Sequence, residues 1–365
     1  MKVLYTADEL NAVCGRGLKR SLLETAIELA KLVSVDVLTS GDESAPGVLE
    51  EARATGLSIV ASRLFFSRQA PLHQRSKALG ELFAREPYDV IHVHGYSQLV
   101  PAAIARLRLR QRPKLVFTDH DSTGWRGLGI PARIGCLKFA RPYYIALSTA
   151  QERTVRRFWN RVTFVPNGVD LDRYCSTCRE SRRSPFVRIL FPARLDPLKG
   201  HCDVFDACAW LQDRGHNIWL VCPGEGPNHE FLKSYAQSLG LGDRVAFPGR
   251  LGLSEMLVSY AAADIGVFAS YSEMMPLSVL EMMSSGLPVV AYRVGGVPDV
   301  IDDGLSGTLV PVGDRIALRE ALAHYARDPA TRHRIGEAAR KCVEQRFGMR
   351  RVTELLVQAY RAAVA

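Results

Sequence analysis

Tyr271-Ser-Glu-Met-Met-Pro-Leu-Ser-Val-Leu-Glu-Met-Met-Ser-Ser-Gly286-Leu-Pro-Val-Val-Ala291 reads as a loop, a short helix and a buried strand in succession. Pro276 suits the first helical position, where its missing N–H would have no partner anyway. Gly286 suits the residue just past the helix end. Pro288 blocks further helix, and Val289-Val290-Ala291 is an apolar run of strand length. Glu273 therefore falls in the loop and Glu281 in the helix. The backbone N–H groups around Met275 to Ser278 lack intrahelical partners, and a helix start of this kind favours an anion.

The same alternation extends in both directions. Strands are predicted over 3–6, 35–39, 58–61, 90–94, 115–118, 144–148 and 162–165, with helical spacing between them, for example over 18–32 and 100–109. A polar stretch at 171–185 contains Arg179, Arg182 and Arg183 and reads as a linker. The pattern then restarts with strands over 187–191, 218–222, 245–247, 265–268, 289–291 and 309–310. Strands separated by helices give parallel sheets covered on both faces. The expectation is an α/β chain of two doubly wound, Rossmann-like domains facing across a cleft. The first domain spans 1–170, the linker 171–185 and the second domain 186–345. A terminal helix follows over 346–365. A chain of 365 residues is long for one domain. In open parallel sheets, ligands bind beyond the carboxyl ends of the strands.

Composition narrows the class. The chain is 47% hydrophobic and 23% charged, as globular cores require. No apolar run approaches the roughly 18 residues that span a bilayer. Asp8 and Glu9 interrupt any leader-like apolar stretch. The eight cysteines are scattered, and several sit in apolar contexts, so reduced thiols and a cytoplasmic location are expected. Cys175-Ser-Thr-Cys178 has no partner pair and is a weak metal or redox signal. The net charge of +9 is uneven: residues 1–170 hold 24 Lys/Arg against 16 Asp/Glu, and the remainder 23 against 22. A basic face of this kind meets an anionic membrane, an acidic acceptor or only water. No nucleic-acid-binding motif accompanies it.

The opening stretch resembles the acidic-x7-acidic signature of the retaining glycosyltransferases of family 4, with Met274 and Met282 where that family usually has glycine and alanine. Ala193-Arg-Leu-Asp-Pro-Leu-Lys-Gly200 is similar to the family's Gly-Arg-Leu-x-x-x-Lys-Gly. Val165-Pro-Asn-Gly-Val-Asp170, Pro223-Gly-Glu-Gly-Pro227 and Gly295-Gly-Val-Pro-Asp-Val300 resemble further family turns. The resemblance implies the GT-B fold, with the last helix crossing back to the first domain. It also implies transfer of a sugar from a UDP- or GDP-sugar donor to an acceptor hydroxyl, as in polysaccharide, glycolipid or glycoconjugate synthesis. By this resemblance Arg194 and Lys199 hold the donor diphosphate, Glu281 the ribose and Glu273 the sugar ring. Met274, Met275, Pro276 and Leu277 line the donor, as do Gly15, Gly17, Asn167, Gly224, Arg250 and Leu251. His120 lies near the sugar, and Arg16 and His120 face the acceptor. The charge assignment is physically apt, because Arg offers a planar fork of donors and Lys a compact charge. The family works without a bound metal or cofactor. His92 and His94 share a strand face but have no evident third ligand, so no metal site is expected. The acceptor is unspecified; a lipid-linked or membrane-surface acceptor accords with the basic first half, and peripheral attachment at the inner membrane face with it. Two alternatives are a nucleotide-sugar-binding protein without transferase activity and a GT-B nucleotide-sugar epimerase.

Overall fold

The computed structural model describes residues 1–7, 16–40, 52–67, 69–120, 130–174 and 185–365. The strands are β1 (Lys2–Thr6), β2 (Ser34–Thr39), β3 (Ser58–Ala61), β4 (Val90–His94), β5 (Lys114–Thr118), β6 (Tyr143–Ala146) and β7 (Val162–Phe164). There follow β8 (Val187–Leu190), β9 (Ile218–Val221), β10 (Val245–Ala246), β11 (Ile265–Phe268), β12 (Val289–Tyr292) and β13 (Thr308–Val310). Each expected strand is present, with ends displaced by two residues at most.

Among the described residues the first sheet runs β3-β2-β1-β4-β5-β6-β7 and the second β10-β9-β8-β11-β12-β13. Every pairing is parallel. The strands β4, β11 and β12 are buried along their whole length. Near-continuous apolar runs such as Ile-Gly-Val-Phe and Val-Val-Ala-Tyr suit strands covered on both faces. In each sheet the strand order reverses once, between β1 and β4 and between β8 and β11. The loops leaving those paired strands diverge, and the crevice between them is where such sheets hold ligands.

The chain divides into two compact units, Met1–Gly168 with Met349–Ala365, and Val169–Gly348. The core of the first includes Val3, Val37, Val90, Val116 and Ile145, and the terminal helix Met349–Val364 adds Val352, Leu356, Tyr360 and Ala363. That helix packs against the helix Arg16–Ala30. Its apolar spacing identifies it from sequence, although residues 346–348 stay with the second unit. The second unit builds its core from Ile189, Phe191, Val204, Leu220, Val267 and Tyr292, among others. Residues 169–170, expected in the first domain, and 171–174, which open the polar stretch, pack in this unit. Arg340 donates to the carbonyls of Tyr174 (2.5 Å), Ser284 (2.7 Å) and Leu171 (3.0 Å). Cys175 and Cys178 lie outside the described residues. The cysteines 136, 202, 208, 222 and 342 are free thiols.

Candidate active site

The second unit gathers most of the expected residues at the carboxyl ends of its strands. Arg194 lies on the loop that follows β8, and Lys199 ends the short 3-10 turn Pro197–Lys199 before the helix His201–Gln212. Glu273 lies on the loop after β11. These are the two loops that flank the point where strand order reverses. Lys199 Nζ donates to Glu273 Oε1, and Ser270 Oγ donates to the same oxygen at 3.2 Å. The two side chains are 25% and 15% exposed, so the pair is shielded without being closed to a ligand. The loops are tied together by Tyr271 N–H donating to Leu198 O at 2.8 Å.

Three turns cradle this region. Ala193 N–H donates to Pro223 O (3.1 Å), Leu195 N–H to Glu225 O (3.1 Å), and Gly224 N–H to Gly249 O (2.8 Å). The turns after β8, β9 and β10 are therefore laced by backbone bonds. Gly224 has φ +152°, and a Cβ there would lie 1.9 Å from Ala193 O. Gly295, with φ +53°, supports the other loop, since a Cβ would lie 1.8 Å from Glu273 O. Arg194 makes an ion pair with Asp196 at 3.9 Å. Arg250 pairs with Glu225 at 3.4 Å on the exposed rim, followed by half-buried Leu251.

The helix after this loop begins at Leu277 and runs to Ser284, with Pro276 at the N-cap rather than the first helical position. Proline has no polar side-chain atom to cap the helix, and no side-chain cap bond is present. The first N–H groups of the helix are thus left for an acceptor from outside it. Met275 is buried and Met274 half-buried beside them. Glu281, one turn on, is oriented by two tyrosines. Tyr174 OH donates to Oε1 at 3.0 Å and Tyr260 OH to Oε2 at 2.5 Å.

Sequence reading missed the supports. Asp203 is buried and accepts from Tyr271 OH (2.5 Å), Tyr292 OH (2.8 Å) and Arg315 Nε (2.7 Å). It anchors both ends of the Glu273 cradle. Two acidic residues three apart, Asp203 and Asp206, on the helix that follows Lys199-Gly200 were the available signal. Tyr174 lay in a stretch that composition marks as polar linker, and nothing local ties it to Glu281, 107 positions away.

In the first unit, His94 closes β4 and His120 follows β5. His94 Nδ1 and His120 Nε2 are 2.9 Å apart. His92 is held by Tyr360 OH (2.7 Å) and Thr118 Oγ1 (2.8 Å). Burial and the neighbouring imidazoles push His92 down to about 3 and His94 well below the usual histidine range, and packing lowers His120 to about 4. All three are neutral near pH 7. Asn167 lies in this unit, past β7. Arg16 and Gly17 open the helix Arg16–Ala30, and Gly15 is outside the described residues. Among the described residues no group of three His, Cys, Asp or Glu side chains is arranged to hold a metal. No described helix is long and apolar enough to cross a membrane.

Residues 15–173 match the family described as Glycosyltransferase Family 4, and residues 180–342 match Glycosyl transferases group 1. The chain is similar to the D-inositol 3-phosphate glycosyltransferase of Saccharomonospora viridis, with 30% identity over 96% of this chain and 90% of the relative. The protein of that name from Corynebacterium glutamicum is 34% identical over 88% of this chain and 86% of its own. Among solved structures, Anabaena HepE in complex with UDP superposes with a TM-score of 0.81 at 21% identity, covering 99% of this chain and 100% of that one.

Proposed function

The chain belongs to glycosyltransferase family 4, a nucleotide-sugar glycosyltransferase of GT-B fold, and from that premise we propose that its second unit grips the diphosphate of a UDP-sugar and transfers the sugar with retention. The observation that carries the reading is the Lys199–Glu273 pair set beside an uncapped helix start, where the strand order of the second sheet reverses. Lys199 exchanges its bond to Glu273 for the diphosphate, Arg194 supplies a second cation, and the N–H groups from Leu277 onward take phosphate oxygens. These groups meet the charge that builds on the diphosphate as it leaves, in place of a metal ion. The sugar C1–O bond to phosphate breaks and the C1–O bond to the acceptor forms on the same face. The acceptor proton passes to the departing phosphate oxygen. Glu281 takes ribose hydroxyls, and Glu273 orients the sugar.

UDP is the favoured nucleotide because HepE was solved with it at a TM-score of 0.81. Titration calorimetry with UDP and GDP in buffer containing EDTA tests the site. Saturable heat with UDP is expected, lost in an Arg194→Ala/Lys199→Ala double variant. No heat with either nucleotide, or a double variant that binds as the wild type does, overturns the reading. The names of the relatives make a phosphorylated cyclitol the first acceptor class to assay.

A second reading concerns location. Arg108, Arg110, Arg112, Arg141, Arg157 and Arg161 are exposed and precede β5, β6 and β7, at the amino edge of a parallel sheet. Leu107 and Phe139, 48% and 51% exposed, stand in the same connections. Cations interspersed with apolar side chains suit peripheral docking on an anionic membrane. Co-sedimentation with vesicles of phosphatidylcholine alone and with phosphatidylglycerol added is expected to show salt-sensitive binding to the anionic set only. Equal, negligible binding to both removes this reading.

A further inference from the structure

His94 and His120 share one hydrogen bond, and the direction of that bond decides what His120 does. Both rings are neutral, so each carries one N–H and one bare nitrogen. Across the 2.9 Å contact one ring donates and the other accepts. If His120 Nε2–H donates, its Nδ1 is bare and acts as a base. If His94 Nδ1–H donates, His120 carries its proton on Nδ1 and acts as a donor.

The far side of His94 separates the two. Its Nε2 is buried and has no hydrogen-bond partner, and the residue is 2% exposed. An unpaired buried N–H is rarer and less tolerated than an under-satisfied acceptor. Gln98 sharpens the choice. Its Oε1 accepts from Thr6 Oγ1 at 2.6 Å and from the His94 backbone N–H at 3.3 Å, which sets the orientation of the amide. Its Nε2 is then already a buried donor without a partner. A proton on His94 Nε2 would add another unpaired donor, whereas a bare nitrogen does not. His92 does not compete, because both its nitrogens are engaged by Tyr360 and Thr118.

We propose that His94 donates its Nδ1–H to His120 and so locks His120 in the tautomer that offers Nδ1–H to a substrate oxygen. His120 is then a neutral hydrogen-bond donor and not a general base, and His94 is its positioning residue. The inference rests on His120 serving the transfer reaction proposed above. It accords with the departing phosphate taking the acceptor proton, since it leaves no imidazole base to do so.

Nitrogen-15 histidine labelling with long-range proton correlation reads the tautomer directly, the His120 signals being identified by their loss in His120→Asn. The expected wild-type spectrum has the His120 proton on Nδ1; a proton on Nε2 overturns the proposal. In kinetics, His94→Leu is expected to lower kcat about tenfold, roughly one hydrogen bond's contribution, with UDP affinity unchanged. His94→Asn places an amide N–H where Nδ1–H stood and is expected to recover kcat to within about threefold. A His94→Asn variant as impaired as His94→Leu also overturns it. Absence of UDP binding by the wild type would instead count against the donor site, and the spectrum would remain interpretable.

Discussion

Lys199 is held in two ways that a loop lysine ordinarily is not. Its side chain is three-quarters buried with the ammonium against Glu273, and the glycine after it, Gly200, lies against Ala269. The position is therefore preorganised before any donor arrives, and preorganised charge is where electrostatic stabilisation of a leaving group originates. Lys199→Ala is expected to lower kcat/KM by about a hundredfold or more while the circular dichroism spectrum is retained. A variant with wild-type turnover would remove Lys199 from the reaction. The residues proposed for this site were picked out by their likeness to family motifs, because an Arg, Lys or Glu in a loop is by itself more often a solvated surface residue. Their supports were not legible. Asp203 reaches Tyr271 across 68 positions and Tyr292 across 89, and Tyr260 reaches Glu281 across 21. Periodicity and turn chemistry are local signals, and these bonds exist only once the sheet has brought the loops together. His94 was visible as half of a His-x-His pair, but its bond to His120 depends on β4 and β5 lying side by side in register, His94 opposite Thr118.

The elements were more legible than the contacts between them. Parallel strands bury both faces, so the runs at β4, β11 and β12 announce themselves without alternation. Differences fall at strand ends, where Phe191 and Cys222 continue the apolar run beyond the last ladder residue and still sit in the core. Pro276 differs by one position because Leu277 has the first helical backbone, with Pro276 itself extended at ψ 113°. The turn after β9 shows what an element boundary does for the site. It can approach the Arg194 loop only because Gly224 has no side chain. Gly224→Ala must displace the Ala193 carbonyl, and with it the loop that carries Arg194. Its expected effect is a loss of about 1–3 kcal/mol in stability together with weaker UDP binding. Urea unfolding and calorimetry check the two halves of that statement. An alanine variant as stable as the wild type and binding UDP as tightly would show that the turn is not held against the loop.

At the scale of the whole chain, the second unit is an insertion in the first. Val169 N–H donates to Phe347 O at 2.9 Å and bridges Gly348, so the entering and leaving strands of the second unit are pinned side by side. The first unit is completed only when the terminal helix Met349–Val364 returns to it. Each unit has its own core and its own parallel sheet, which is the condition for separate unfolding transitions. The groups proposed to grip the nucleotide, Arg194, Lys199, Glu281 and the helix start at Leu277, lie within Val169–Gly348, and a ligand stabilises chiefly the body that binds it. At a hundred times its dissociation constant UDP adds about 2.7 kcal/mol. For a unit of this size that moves the midpoint by roughly 5–10 °C. Differential scanning calorimetry of the intact chain is therefore expected to show two transitions, of which UDP raises one and leaves the other in place. The transition that moves should be the one weakened by Gly224→Ala, which ties it to the second unit without cutting the chain. A shift of both transitions by equal amounts would mean that the nucleotide is gripped by both units, and a shift only of the other would place the site in the first.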